Sequence, residues 1–200
     1  MKSRMSLWGG LFVILLASIL IIASVLASRP DMDLHLTREV TSDLDLHTLG
    51  YSIGTLSDWP KWFFSLDSVE IMGSPADKTL KTASILKLHM DPKRGPWSKF
   101  DILVRVLDYQ PGHSIRMQVI ADSKNKLTLL FDRLEWQVDL IAQGSESTLV
   151  RGTVQGHTSH WRSRIFGQLF PHILMNQVYY PDIIHLALLD KPEPKNPFSD

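Results

Sequence analysis

Short runs of residues that alternate between apolar and polar follow one another through the middle of this 200-residue chain. Each run ends at a cluster of turn-forming residues such as Gly, Pro, Asn, Asp or Ser, a pattern typical of strands joined by short connections. The predicted strands are 34–42, 69–72, 82–90, 100–108, 114–121, 127–141 and 149–157. Strands connected in this way pair antiparallel, and the apolar face of their sheet has to be covered.

The segment that follows the last strand has the spacing of a helix instead. Its stripe consists of residues four positions apart: Trp161, Ile165, Leu169, Ile173 and Gln177. Pro171 predicts a kink in this helix, and Pro181 predicts a second break before 182–189. Because this is the one predicted helix of the body long enough to cover a sheet, the fold class is α+β. We expect a curved antiparallel sheet of about six to seven strands wrapped around a long C-terminal helix.

Two places in the body predict local departures from regular structure. Asp43 is expected to cap a short helix that carries Leu49 and Ile53 and is broken between Gly50 and Gly54. Within the predicted strand 127–141, the apolar positions change from odd to even numbers near Asp132. A change of parity places side chains on the opposite face of a sheet, so it predicts a bulge or bend at this point.

The N-terminal segment 7–27 is apolar and free of charge, with Lys2 and Arg4 before it and Arg29 after it. A helix of about 20 residues, at roughly 1.5 Å per residue, spans a hydrocarbon core of about 30 Å. The segment therefore predicts one transmembrane helix before the body. The basic N-terminus predicts a single-pass protein with its N-terminus in the cytoplasm. The body would then be extracytoplasmic, and periplasmic if the cell is Gram-negative.

A cleaved signal peptide is the alternative interpretation of the same segment. Val25 and Ala27 fit the small-residue pattern of a cleavage site before Ser28. A signal peptide usually has an apolar core of about 7–15 residues, and this segment is longer, which favours a retained anchor. Both interpretations export the body.

Composition sets further limits on domain organisation and partners. We expect an anchor at 1–28, a linker at 29–33, one domain at 34–189 and a disordered Pro-rich tail at 190–200. The chain has no cysteine, which excludes disulfides, thiolate metal sites and cysteine nucleophiles. Lys+Arg and Asp+Glu number 21 each, a balance that argues against binding to nucleic acid. The expected partners are a membrane, through 7–27, and an apolar small molecule.

Several short motifs, in this order, resemble a known superfamily. They are Asp43 to Leu49 after the first strand, Leu56 to Trp62 (LSDWPKW), Leu134-Glu135-Trp136 on a late strand and the turn Gly144 to Thr148. With the amphipathic final helix, they resemble helix-grip proteins, also called START-like or polyketide cyclase/dehydrase-like (SRPBCC) domains. The resemblance covers roughly 34–189. It implies a cavity between sheet and helix that often holds an apolar ligand, and it implies no particular chemistry. The membrane segment and Pro171 depart from the superfamily pattern.

The cavity implied by this resemblance gives a set of candidate ligand-binding residues. Most are apolar, with His113 and Gln177 as polar groups: Trp62, Phe63, His113, Trp136, Ile165, Leu169, Ile173 and Gln177. Ordinary core packing is the alternative role for each apolar residue. Arg116 shares a strand face with Ser114 and Gln118 and is expected to face water. His157 and His160 have a spacing that two metal ligands could use, but a third ligand is not evident, so no metal site and no cofactor are predicted.

Three functions are compatible with these features. The first is a membrane-tethered domain that binds a hydrophobic or lipid-like small molecule. The second is a cyclase- or hydrolase-like enzyme, which a cluster of perturbed ionisable groups inside the cavity would favour. The third is a protein-interaction module with a filled core, which an exposed apolar patch would favour. No catalytic residue is assigned from the sequence.

Overall fold

The computed structural model describes residues 16–18, 20–21, 24–25, 31–63, 65–73, 79–90, 100–125, 127–160, 163 and 180–189. The strands are β1 (Met32–Ser42), β2 (Leu66–Met72), β3 (Ile85–Met90), β4 (Phe100–Gln110), β5 (Ser114–Asp122), β6 (Arg133–Ala142) and β7 (Thr148–Thr158). The helices are α1 (Leu46–Gly54), α2 (Trp59–Trp62) and α3 (Tyr180–Ala187), and a 3-10 turn at Leu56–Asp58 precedes α2.

All seven strands form one antiparallel sheet in the order β1-β7-β6-β5-β4-β3-β2. The first strand therefore pairs with the last. The sheet is curved, and the register of β4 against β5 shifts twice, between Leu103 and Val104 and between Val106 and Asp108. Bulges of this kind bend a strand and increase its twist. The predicted antiparallel sheet of about six to seven strands is confirmed.

Apolar side chains at alternating positions make the inner face of the sheet. Along β4 they are Phe100, Ile102, Val104 and Val106, and along β6 they are Leu134, Trp136, Val138 and Leu140. Leu49 and Ile53 of α1, Trp59 and Trp62 of α2, and Ile183 and Leu186 of α3 are buried in the same core. Helix α3 packs against β1, β7 and α2, and the Ser42 hydroxyl donates to the Ala187 carbonyl at 2.6 Å.

The beginning of α1 differs from the prediction. Asp45, and not Asp43, caps the helix, since its carboxylate accepts a hydrogen bond from Thr48 N at 2.8 Å. The helix then runs through Gly50 to Gly54 without the expected break. The cause is tertiary packing, because Gly50 lies directly against Gly112 in the turn between β4 and β5.

The single strand predicted over 127–141 is wrong, because Leu127 to Leu130 form a turn and β6 begins at Arg133. Asp122, at the end of β5, holds this turn. Its Oδ2 accepts from Leu127 N at 3.0 Å, from Thr128 N at 3.1 Å and from Thr128 Oγ1 at 3.1 Å. The change of parity near Asp132 thus marks the passage from a turn to a strand, and not a bulge within one strand.

Two predicted elements lie largely outside the described residues. Most of the long helix expected after Ser159 does, and the described helix in this part of the chain is α3, Tyr180–Ala187. Most of the segment 7–27 also lies outside the described residues. In the described part of the chain, no helix is long and apolar enough to cross a membrane. The N-terminal anchor stays a prediction.

Candidate ligand-binding site

Four aromatic rings run from α2 to the inner face of the sheet. The ring centroids of Trp59 and Trp62 are 5.7 Å apart, and those of Trp62 and Phe63 are 5.8 Å apart. Phe63 then contacts Trp136 of β6, edge to face, at 6.0 Å. All four side chains are buried. Three of the predicted site residues, Trp62, Phe63 and Trp136, are thus brought together.

The local sequence explains where α2 begins and ends. Pro60 lies in the first turn of the helix, where its missing N–H costs no hydrogen bond. Lys61 Nζ pairs with Asp58 Oδ1 at 2.6 Å across the same turn. Phe63 N donates to Trp59 O at 2.7 Å, and Leu66 N donates to Phe63 O at 2.9 Å as the chain turns into β2. A single helical turn therefore presents Trp62 and Phe63 to the core.

The two indole groups of α2 differ in their hydrogen bonding. Trp59 Nε1 donates to the Ile53 carbonyl at 3.0 Å. Trp62 Nε1 is buried, and within the described structure it has no hydrogen-bond partner. A buried N–H without an acceptor costs about 1–3 kcal/mol. An acceptor supplied from outside the chain would remove that cost.

The inner wall around the aromatic rings is apolar. Ile115, Met117 and Val119 of β5 and Val150 and Val154 of β7 continue the face formed by β4 and β6. Thr148 and Thr158, at the two ends of β7, are buried polar residues on the same face as these valines. Thr148 Oγ1 likewise has no partner among the described residues. A wall of apolar groups with a few hydrogen-bonding atoms is typical of small-molecule sites.

Charged groups with altered pKa values lie on the opposite face of the sheet or in its connections. Glu135 alternates with Leu134 and Trp136, and its carboxylate accepts from Arg116 Nε at 2.9 Å and also pairs with Arg133. Burial by itself raises the pKa of Glu135, but the hydrogen bonds from the two arginines outweigh it and hold the pKa below its usual value. Arg116 is on the outer face, as predicted, although it is paired.

Solved structures show which fold this is. Truncated norcoclaurine synthase from Thalictrum flavum superposes with a TM-score of 0.59 at 12% identity, over 84% of this chain and 99% of that one. ZhuI aromatase/cyclase from Streptomyces sp. R1128 gives 0.59 at 11% identity, over 78% and 92%. Major latex-like protein 151 from Panax ginseng gives 0.57 at 10% identity, over 80% and 99%. The chain has the START-like helix-grip fold. No protein-family model and no curated protein matches its sequence.

In this helix-grip domain, His113 lies apart from the aromatic rings. It lines an open groove of about 630 Å³ between α1 and the β4–β5 turn, together with Leu46, His47, Gly50, Tyr51, Gly54, Thr55, Tyr109, Pro111 and Gly112. Its backbone carbonyl accepts from Leu140 N at 2.7 Å. Ile165, Leu169, Ile173 and Gln177 lie outside the described residues, so their part in the helix-grip cavity stays a prediction.

The two histidines near the end of β7 each pair with a carboxylate. His157 Nδ1 is 2.9 Å from Asp33 Oδ1, and His160 Nε2 is 3.2 Å from Asp132 Oδ1. Hydrogen bonding to Asp33 raises the pKa of His157, and the charges of Asp33, Asp31 and Asp132 add to this effect. Among the described residues, no group of three or more His, Cys, Asp or Glu side chains could hold a metal ion.

Proposed function

We propose that this helix-grip domain binds an apolar small molecule between the inner face of its sheet and its C-terminal helix, and that residues 7–27 tether it to a membrane. The observation that carries the proposal is the Trp62 indole, whose N–H is buried beside an apolar wall and has no acceptor in the described part of the chain. The preferred ligand is therefore a lipid-like or other hydrophobic molecule that has at least one hydrogen-bond acceptor.

The shape of the aromatic cluster supports the same ligand class. The rings of Trp62, Phe63 and Trp136 contact one another, with centroids 5.8 and 6.0 Å apart, and add a large aromatic area to the apolar inner face. Norcoclaurine synthase, one of the similar structures, has been solved in complex with dopamine and hydroxybenzaldehyde. That protein, which has the same fold, thus holds small organic molecules, and we expect a ligand of similar size here.

The placement of the ionisable groups favours a binding function over acid–base catalysis. Glu135, Asp101 and His157, whose pKa values are shifted, belong to ion pairs on the outer face or at the end of a strand. The Lys87 and His89 side chains lie beside the Asp101 carboxylate at 3.1 and 2.9 Å. These pairs are arranged to stabilise the sheet and not to meet a molecule on its inner face.

The test compares the full-length protein with Trp62→Phe and Trp59→Phe, each purified in the same detergent and examined by native mass spectrometry. The wild-type chain is expected to carry an apolar compound of defined mass. Trp62→Phe removes the N–H and keeps a ring, so the affinity should fall by up to about tenfold, the equivalent of one hydrogen bond of roughly 0.5–1.5 kcal/mol.

Trp59→Phe is the matched control, since the Trp59 N–H is already bonded to Ile53 O. It should retain the compound. If no protein carries a compound, or if Trp62→Phe carries as much as wild type, the proposal is wrong. If the wild-type chain does carry a compound, mass spectrometry of the released compound defines its chemical class.

A further inference from the structure

The open groove between α1 and the β4–β5 turn lies outside the aromatic cluster, and we call it the α1 groove. It has a volume of about 630 Å³. On α1 it is lined by Leu46, Gly50 and Gly54, which are four residues apart and therefore share one side of the helix. Leu49 and Ile53, on another side of α1, are buried in the core. The side of α1 that faces the groove is thus free to bind a further segment.

Aromatic rings and glycines give the α1 groove its character. Tyr51 of α1 is 65% exposed, and the hydroxyl of Tyr109 reaches from β4 to the surface of α1 at Gly54. Pro111 lies between these rings and the turn, and His113 lines the groove beyond it. Grooves lined by aromatic rings bind Pro-rich segments in the polyproline II conformation. The carbonyls of such a segment have no internal partners, so tyrosine hydroxyls and imidazole N–H groups can donate to them.

The chain supplies a Pro-rich segment, 190–200, whose beginning lies near one end of the α1 groove. Helix α3 ends at Ala187, and the carbonyl of this residue accepts from the Ser42 hydroxyl at 2.6 Å. Ser42 precedes Asp45, the N-cap of α1, by three residues, and the first residue of α1, Leu46, lines the groove. The chain therefore approaches residue 190 close to the beginning of α1.

The length and composition of this segment suit the α1 groove. Its sequence, DKPEPKNPFSD, contains Pro194 and Pro197, which share one edge of a polyproline II helix because that helix has three residues per turn. At about 3.1 Å per residue, residues 190–200 extend over roughly 34 Å. Helix α1, with 9 residues at about 1.5 Å each, is roughly 14 Å long. The segment can therefore cover the whole groove and still have several residues with which to reach it.

We infer that residues 190–200 dock in the α1 groove of their own chain as a polyproline II segment, with Pro194 and Pro197 against Tyr51 and Tyr109. Since α3 packs on β1, β7 and α2, the docked segment ties the end of α3 to α1 and holds α3 in place. The inference goes beyond the proposed function and requires neither an apolar ligand nor a membrane tether.

The covalent connection makes a weak contact sufficient for docking. A segment joined by a short linker has an effective concentration in the millimolar range at its site. Urea weakens apolar contacts of this kind, so the segment should leave the groove in dilute urea, before the domain unfolds. Its docking is therefore best measured without denaturant, by the mobility of the segment itself.

The test uses a nitroxide label on residue 196 of the full-length protein in detergent. The chain has no cysteine, so Asn196→Cys gives a single labelling site, on a different polyproline II edge from Pro194 and Pro197. Electron paramagnetic resonance should show mostly slow tumbling, because the docked label moves with the domain. Tyr51→Ser should convert most of this signal to fast tumbling. Leu129→Ser is the matched control, since Leu129 is 66% exposed outside the groove, and it should keep the slow signal.

Competition with a peptide tests the same contact without a change in the folded domain. A synthetic peptide of residues 190–200, added at a concentration equal to the effective one, should free about half of the labelled segments. The same peptide with Pro194→Gly and Pro197→Gly should free far fewer. Circular dichroism checks that Tyr51→Ser and Leu129→Ser leave the fold unchanged.

Fast tumbling of the label in the otherwise unchanged chain would overturn the inference. So would a slow signal that Tyr51→Ser and the peptide leave intact, or equal effects of Tyr51→Ser and Leu129→Ser. If dilution of the protein frees the label, the segment docks in a second copy of the chain, and docking within one chain is wrong. None of these outcomes bears on the Trp62-dependent compound, so the proposed function is tested separately.

Discussion

Trp59 and Trp62 lie one turn apart in the same short helix, and their different hydrogen bonding gives a prediction about stability. Trp59→Phe removes a donor and leaves the Ile53 carbonyl without its 3.0 Å partner. Trp62→Phe removes a donor that the described structure leaves unpaired. In ligand-free protein, Trp59→Phe should therefore lower the free energy of unfolding by about 1–3 kcal/mol more than Trp62→Phe. Urea denaturation at neutral pH measures both, and equal losses would contradict the prediction.

Glu135 gives a prediction about pH, because its side chain is only 3% exposed and two arginines hold it. Its pKa in the folded protein is lower than in the unfolded chain, so its ion pairs stabilise the fold above the unfolded value, near 4.5. That contribution is lost as the pH falls through the lower, folded value. Glu135→Gln should destabilise the protein by about 1–3 kcal/mol at pH 7 and show a smaller further loss below pH 4.5 than wild type.

Glu39→Gln is the control for this pH series. Glu39 pairs with Arg151 at 2.7 Å, but the two side chains are 46% and 41% exposed. An exposed pair contributes about 0–1 kcal/mol, so this variant should resemble wild type at each pH. Urea midpoints measured between pH 7 and pH 3 compare the three proteins, and a Glu39→Gln effect as large as that of Glu135→Gln would show that burial does not decide the outcome.

Among the elements, α1 is fixed to the sheet by a contact that only glycine permits. A Cβ at Gly50 would lie 2.6 Å from Gly112 Cα, and a backbone atom cannot turn aside. A Cβ at Gly54 would lie 2.8 Å from the Tyr109 hydroxyl, which is the end of a side chain. Gly50→Ala should cost about 1–3 kcal/mol through overpacking, and Gly54→Ala less. Thermal unfolding compares the two variants directly. Equal decreases in unfolding temperature would mean that α1 can move away from the turn at Gly112 without cost.

The bounds of the strands were predictable wherever the alternation of apolar and polar residues alone determines them. The intervals predicted at 100–108, 114–121 and 149–157 lie inside β4, β5 and β7, because a one-sided apolar face requires that period. The turn at Leu127 to Leu130 was missed because its support comes from Asp122, on another element. Ala83 forms part of a turn with φ of 69°, so the predicted strand 82–90 begins only at Ile85. Apolar spacing carries no information about such local supports.

The candidate site was also predictable only in part, because a sequence pattern does not show which hydrogen-bond partner each side chain finds. Trp62, Phe63 and Trp136 were expected together from the resemblance to helix-grip proteins, and they are in contact. The orphaned Trp62 N–H was not predictable, since the same residue type three positions earlier finds an acceptor in Ile53. A groove of about 300 Å³, which Phe131 lines beside the Leu127 to Leu130 turn, was also missed, although the parity change near Asp132 indicated that the chain departs from a regular strand there.

At the scale of the whole molecule, β1 depends on a strand that is far away in the sequence. Its described pairing partner is β7, and Arg151 Nε contacts Glu39 Oε1 across the two strands at 2.7 Å. A chain that ends at residue 147 should therefore lack a cooperative unfolding transition, because β1 and the edge of β6 are left unpaired. A chain that ends at residue 189 is the control, and loss of the predicted disordered tail should leave the urea midpoint unchanged. A cooperative transition in the shorter chain would contradict this dependence.

Because β1 pairs with β7, β1 remains without its partner strand during synthesis until β7 has been made. Glu39 and Arg151 are 112 positions apart in the chain. At about 5–20 residues per second, β1 leaves the ribosome roughly ten seconds before its partner exists. Throughout that interval its N–H and C=O groups are available to other extended chains. Slowing translation between the codons for Ser42 and Thr148 would lengthen the interval, and the yield of folded protein should then depend on the chaperones that hold extended segments.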